Sequence, residues 1–217
     1  MISNVVFDFD GTIANSRAVV ISAYNQVAEK HRFNPMVEAD IPVLSRLSIP
    51  ERCRKMGVPL YKLPSVMVEV GRSYKNFVDS VVAFDGMLPV LQTLHRHGFT
   101  VGIISTNAAE NIQQFLARNG MEPVVQRVHC SSNLFGKDKV SSRYLKTYGL
   151  THEQVLYVGD EERDVVASRK MKLRVLSVSW GFESLDVLTK AGPDFIAHQP
   201  ADILQRVAEL NGLPHLA

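Results

Sequence analysis

The stretch Val5-Val6-Phe7-Asp8-Phe9-Asp10-Gly11-Thr12 decides how the rest of the chain is read. Three apolar residues, two of them β-branched, run straight into a pair of carboxylates. A short apolar run without alternation suits a strand buried on both faces, as in a parallel sheet. The carboxyl end of such a strand is where open α/β sheets place their ligands. Asp8 and Asp10 share a face of extended chain. Like charges that close are costly unless a cation neutralises them or one holds a proton. Gly11 lets backbone approach a bound oxyanion, and Thr12 suits the start of a helix.

Three other readings compete for this string. A calcium loop of the EF-hand kind needs a bidentate glutamate at its last ligand position, where the chain has Val19. A DxD metal motif of a sugar-transferring enzyme does not usually sit on the first strand of a chain. The third is a solvated turn.

Working outward, similar apolar runs recur at Phe99–Ile104, Val124–Val128, Val155–Val158, Leu173–Val178 and Phe195–Ala197. Helical patterns lie between them: Ile112, Phe115 and Leu116 share one face, as do Val140, Tyr144 and Tyr148. Strands alternating with helices predict right-handed βαβ units and a parallel sheet. The fold class expected is α/β, a doubly wound Rossmann-like parallel sheet with an inserted α-helical domain. From Ser16 to Val82 no strand is expected, and prolines 42, 50, 59 and 64 punctuate short helices. Val66, Val70, Tyr74, Phe77 and Val81 read as the stripe of one long helix. The expected division is 1–15 with 84–217 as the core and 16–83 as the insertion.

Composition excludes other classes. Of 217 residues, 46% are apolar and 21% charged, so the chain is neither disordered nor a small disulfide scaffold. Lys+Arg exceed Asp+Glu by 24 to 22, which supplies no electrostatic case for nucleic acid or an anionic membrane. Cys53 and Cys130 form no CxxC pair, so no cysteine zinc site is expected. The opening residues lack the basic region of a signal peptide, and no apolar run reaches membrane-spanning length. A cytoplasmic setting is expected.

Three further groups bear on chemistry. Val158-Gly159-Asp160-Glu161-Glu162-Arg163-Asp164 follows a strand, and Asp160 and Asp164 face one way if a helix begins there. Such acids also commonly complement a helix N-terminus. Oxygens arriving from two strand ends make a hard-cation site suited to Mg²⁺. Ser105-Thr106-Asn107 follows Ile103-Ile104. Its hydroxyls and the helix N-terminus suit a phosphate, while Asn107 with Glu110 fits a capping box. Gly136-Lys137-Asp138-Lys139 offers a lysine, a residue that most often is simply solvated.

Taken together, DFDGT, a hydroxyl with Asn after the second core strand, a loop lysine and GDxxxD after the fourth resemble the four motifs of the haloacid dehalogenase superfamily. The room between Asp10 and Thr106 suits the helical cap of the phosphoglycolate-phosphatase-like branch. The resemblance implies that Asp8 is a nucleophile forming an aspartyl-phosphate and that Asp10 is the general acid/base, with its backbone carbonyl on Mg²⁺. It implies that Thr106 and Asn107 hold phosphoryl oxygens and that Lys137 neutralises Asp8 and the phosphate. It gives Asp160 as a metal ligand and Asp164 as a ligand or orienting group. Many relatives carry this lysine in a Lys-Pro context absent here, so Lys139 stays open beside Lys137. An acid at Asp10 suits an alkoxide leaving group that needs a proton, hence a small phosphorylated metabolite with a phosphomonoester.

Three rivals share these residues: a phosphomutase of the same fold, a phospho-acceptor signalling domain and a non-catalytic binding module. Arg46, Arg52, Arg54 and Arg72 are candidates for a second anionic group of the substrate. Ser179-Trp180-Gly181-Phe182 either lines the site mouth or packs beneath a loop.

Overall fold

The apolar runs become six parallel strands of one sheet in the computed structural model, which describes residues 1–131 and 136–216. In chain order, β1 (Asn4–Phe7) turns into β2 (Ala14–Asn15). Four helices follow: α1 (Arg17–His31), α2 (Ile41–Leu44), α3 (Ile49–Lys55) and α4 (Leu63–Tyr74). The chain returns through β3 (Val82–Ala83) and α5 (Met87–Arg96). Alternation then sets in with β4 (Thr100–Ser105), α6 (Ala109–Arg118), β5 (Arg127–Cys130), α7 (Lys137–Tyr148), β6 (Val155–Gly159) and α8 (Glu162–Lys170). It ends with β7 (Arg174–Val178), α9 (Leu185–Ala191), β8 (Phe195–Ala197) and α10 (Ala201–Leu210).

The sheet order is β5-β4-β1-β6-β7-β8. Phe7 at the end of β1 lies between Ile103 of β4 and Val158 of β6. The chain builds outward on one side of β1, then crosses to build on the other. That reversal opens a crevice at the carboxyl ends of β1, β4 and β6. Side-chain alternation splits the core: Val5 and Phe7 join the larger apolar cluster, and Val6 joins Ile104, Tyr144 and Tyr157 in the other.

Helices α1 to α4 lie between β2 and β3 in the chain, with α1 packed on α4. The segment leaves and returns through an antiparallel ribbon, Ala14 opposite Ala83 and Asn15 opposite Val82. Two residues per strand are too few to announce themselves as an apolar pattern.

Three expectations need correction. Val124 and Val125 lie in a turn, both amides donating to the Met121 carbonyl, so β5 starts later, at Arg127. Helix α4 ends at Tyr74, and Phe77 and Val81 continue its apolar stripe through a turn and one 3₁₀ turn. Thr12 starts no helix; α1 begins after Ser16. Among the described residues, no helix is long and apolar enough to cross a membrane. Both cysteines are free.

Candidate active site

Asp8 stands one residue beyond β1, its own N–H donating to the Val158 carbonyl at 2.8 Å. It is 2% exposed. Its Oδ1 accepts the Phe9 N–H at 2.8 Å, and its Oδ2 accepts the Lys137 ammonium at 2.5 Å. Lys137, at the start of α7, also reaches Asp164 Oδ1. Lys139 is exposed, so of the two lysines only Lys137 enters the site.

Asp160 and Asp164 are fully buried at the end of β6 and in the first turn of α8. The Thr12 hydroxyl donates to Asp160 Oδ1 at 2.8 Å and the Phe182 N–H to Oδ2 at 2.7 Å. Asp164 accepts the Glu161 N–H at 3.1 Å in a capping box and the Tyr157 hydroxyl at 3.3 Å. Ligand oxygens of Asp8, Asp160 and Asp164 lie within 4.8 Å of one another.

The charges here strain against burial. Desolvation raises the Asp8 pKa to about 7, against the pull of Lys137. Asp160 is pushed well above the ordinary carboxylate range by burial and then by Glu161, Asp8 and Asp164. Burial pulls Lys137 down, but Asp164 and Asp8 outweigh it and leave the ammonium raised. Glu161 and Arg163 pair with each other, and Lys137 pairs with Asp8 and Asp164. A buried, all-oxygen cluster with excess negative charge fits a small hard cation, held by Asp8 and Asp160 with Asp164 beside them.

Asp10 is turned away from that cluster. Its Oδ1 accepts the Tyr74 hydroxyl at 3.0 Å and its Oδ2 the Asn107 amide at 2.9 Å. Burial raises its pKa and both hydrogen bonds oppose the rise. Asn107 therefore forms no capping box with Glu110: the cap of α6 is Ala108, and the Asn107 backbone N–H goes to Ser105 Oγ. Thr106 lines the cavity beside Asp8 and Asp10.

Gly11 is also required by its own backbone and by packing. Its φ is +82°, its N–H is engaged by the Ala14 carbonyl, and a Cβ there would collide with the Asp160 carboxylate. Gly181 packs against Asp160 in the same way. The aromatics after Ser179 divide between the two readings. Trp180 packs on Phe84 and donates to the Thr12 carbonyl at 3.1 Å, whereas Phe182 lines the cavity.

Several site residues carry no motif. Glu183 accepts Arg52 Nη2 at 2.7 Å and the Glu162 N–H at 2.5 Å, tying α3 to the start of α8. Arg17 Nη2 donates to the Gly181 carbonyl at 2.5 Å. Of the four arginines expected as anion holders, Arg52 lines the cavity, while Arg46, Arg54 and Arg72 are exposed. Arg17 lay one residue past Ser16, and Tyr74 lay within an apolar stripe that hid its hydroxyl.

Comparison with known proteins accords with this geometry. A family model described as haloacid dehalogenase-like hydrolase matches residues 5–178. A phosphoglycolate phosphatase of Synechococcus elongatus is 31% identical over 206 residues, covering 95% of this chain and 97% of its own. A pyrophosphatase PpaX of Bacillus cereus is 23% identical, covering 97% and 98%. A haloacid dehalogenase-like hydrolase of Streptococcus pneumoniae superposes with a TM-score of 0.80 at 20% identity, over 95% of this chain and 98% of that one. The chain belongs to the haloacid dehalogenase-like hydrolases, and to the phosphatase branch among them.

Proposed function

We propose that the chain is a Mg²⁺-dependent phosphatase that hydrolyses a small phosphomonoester through an aspartyl-phosphate on Asp8. The observation that carries this reading is the buried Asp8 carboxylate, 2.5 Å from Lys137 and within 4.8 Å of Asp160 and Asp164. The likeness to a phosphoglycolate phosphatase supports the phosphate ester as substrate class.

In this reading Asp8 attacks phosphorus, and the bond from phosphorus to the ester oxygen breaks. Lys137 offsets the charge of Asp8 and of the phosphate, since two anions meeting must be screened. Thr106 holds a phosphoryl oxygen, with Asn107 beside it. Asp10 gives its proton to the departing alkoxide, then takes one from the water that cleaves the aspartyl-phosphate. Both donors now on Asp10 favour its ionised form and so oppose its taking up the proton that it must deliver. Asp8, Asp160 and the Asp10 backbone carbonyl would hold the Mg²⁺, with Asp164 holding Lys137. When bound, the ion supplies positive charge to the cluster and to the phosphate oxygens.

The segment 16–83 acts as a cap over a core made of 1–15 and 84–217. Arg52 on Glu183, Arg17 on Gly181 and Tyr74 on Asp10 are among the contacts that join them.

Turnover of p-nitrophenyl phosphate in Mg²⁺, lost in EDTA and restored by added metal, is the expected result. Asp160→Asn should weaken Mg²⁺ affinity far more than thermal stability. Full turnover by metal-free protein sinks the reading.

A further inference from the structure

The cavity at the carboxylates, about 280 Å³ in all, extends into a chamber between α1, α3 and α4. We infer that the chamber receives an apolar leaving group: the substrate is the phosphate monoester of a hydrophobic alcohol, not of a short hydroxy acid or a polyol. This inference rests on the phosphomonoesterase reading and specifies its substrate class.

The wall is the first reason. Ile21, Met36, Ile41, Ile49, Met56 and Met67 all line the chamber, and each keeps part of its surface accessible although it lies inward. Apolar side chains left uncovered inside a fold represent burial that a ligand completes. Three of the six are methionines, whose unbranched chains adapt to an irregular apolar guest.

The polar groups are the second reason: away from the carboxylates they are engaged within the chain, while at the carboxylate end the buried Arg17 Nε has no hydrogen-bond partner. The Tyr24 hydroxyl donates to the Asn34 carbonyl at 2.8 Å, and the Ser45 hydroxyl to the Pro42 carbonyl at 3.4 Å. Arg52 is held by Glu183 and by the Leu44 and Leu47 carbonyls, both at 2.9 Å. Arg163 is held by Glu161. Arg17 sits at the carboxylate end, on the carbonyl of the glycine that packs against Asp160. A leaving group bearing a carboxylate or several hydroxyls would shed its water against a mostly apolar wall, a cost an alkyl or aryl group avoids.

Continuity is the third. The same cavity is lined by Asp8, Asp10 and Thr106. A phosphate on Asp8 therefore directs its ester oxygen past Asp10 toward the apolar wall.

The test is a series of n-alkyl phosphates from ethyl to octyl, whose leaving alcohols have nearly constant acidity. It is measured in Mg²⁺ beside phosphoglycolate and p-nitrophenyl phosphate. The same chain lengths as non-hydrolysable alkylphosphonates give Kd by calorimetry. Expected is a rise in kcat/KM of about three- to fourfold per methylene until the chamber fills, with Kd falling in parallel. Hexyl phosphate should then exceed phosphoglycolate on the order of 10²-fold. Met67→Gln, near in shape but polar, should flatten both slopes, and Ile41→Ser should do the same. A flat series with efficient phosphoglycolate hydrolysis overturns the apolar substrate while leaving the phosphatase intact. If none of these esters turns over, it is the phosphatase reading that fails. The phosphonate series then still decides the chamber: tightening with length supports it, and constant Kd overturns it.

Discussion

The carboxylate end of the cavity and the end enclosed by α1, α3 and α4 are held together by different means. At the carboxylate end, charged groups are held by polar partners: Asp160 by Thr12 and Phe182, Lys137 by Asp8 and Asp164. At the other end the lining is mostly apolar; the Tyr24 and Ser45 hydroxyls turn back into their own segment, and Arg52 reaches Glu183. The first arrangement resists movement, because displacing one group leaves another buried charge uncompensated. The second tolerates repacking, since apolar contacts are not directional. A protein built this way keeps its chemistry constant while the shape of its guest is free to change.

The comparison breaks most visibly at Asp8. Asp8→Asn keeps the shape and removes the attacking charge, so turnover of every substrate should fall at least ~10³-fold, about 4 kcal/mol of barrier. Labelled phosphate should no longer enter the protein. A mutant that still forms a hydroxylamine-sensitive phosphoprotein would put the nucleophile elsewhere.

Asp10→Asn should separate substrates. An alkyl phosphate, whose alkoxide leaves badly, should lose on the order of 10² or more, the range of general acid catalysis. An aryl phosphate should lose far less in the first step and show a burst of phenol followed by slow turnover. Equal losses without a burst would reduce Asp10 to a metal-site residue.

Gly181→Ala tests whether the carboxylate end is as rigid as its hydrogen bonds imply. The new methyl would overlap Asp160, so Mg²⁺ affinity should drop about 10- to 100-fold, as when a group supporting a ligand is lost. Affinity for an alkylphosphonate's tail, read as the dependence of Kd on chain length, should be unchanged. Tyr74→Phe is the mildest change, removing one hydrogen bond from the inserted helix to Asp10. Because that donor favours ionised Asp10, its loss should ease proton delivery, and a gain of about three- to tenfold in kcat is expected for alkyl phosphates, smaller for aryl. An equal change for both would mean that Tyr74 only packs.

How legible each end was in the sequence follows the same division. Asp8, Asp10, Asp160 and Asp164 stand beside apolar runs that announce strands, so their positions at strand ends could be read directly. Lys137 could not be separated from Lys139 by sequence, because burial distinguishes them and only tertiary structure supplies it. Arg17, Arg52, Tyr74 and Glu183 went unread, or were read without their partners, because each acts across a long stretch of chain: Arg52 on Glu183, Tyr74 on Asp10. Nothing local marks such a pair. The strands were legible except where apolar residues serve a turn, as Val124 and Val125 do. The chamber was not legible at all. Its apolar residues carry the same periodicity as residues that merely pack helix on helix, and period alone does not distinguish a filled interior from a hollow one.

The position of β1 carries a consequence for how the chain folds. It precedes every other strand in the chain, yet it is central in the sheet, with Val5 paired to Val101 on one side and Leu156 on the other. Neither edge of this strand can be closed by local contacts, so loop-closure entropy opposes both pairings until distant chain arrives. During synthesis, which proceeds from the N-terminus, an apolar strand with two open edges waits for β4 and then for β6. The second edge closes only when β6 docks, and β6 is the strand that brings in Asp160. The strand carrying the nucleophile is thus the first to be made and among the last to be enclosed, so a slow or interrupted synthesis exposes Val5-Val6-Phe7 to pairing with other chains.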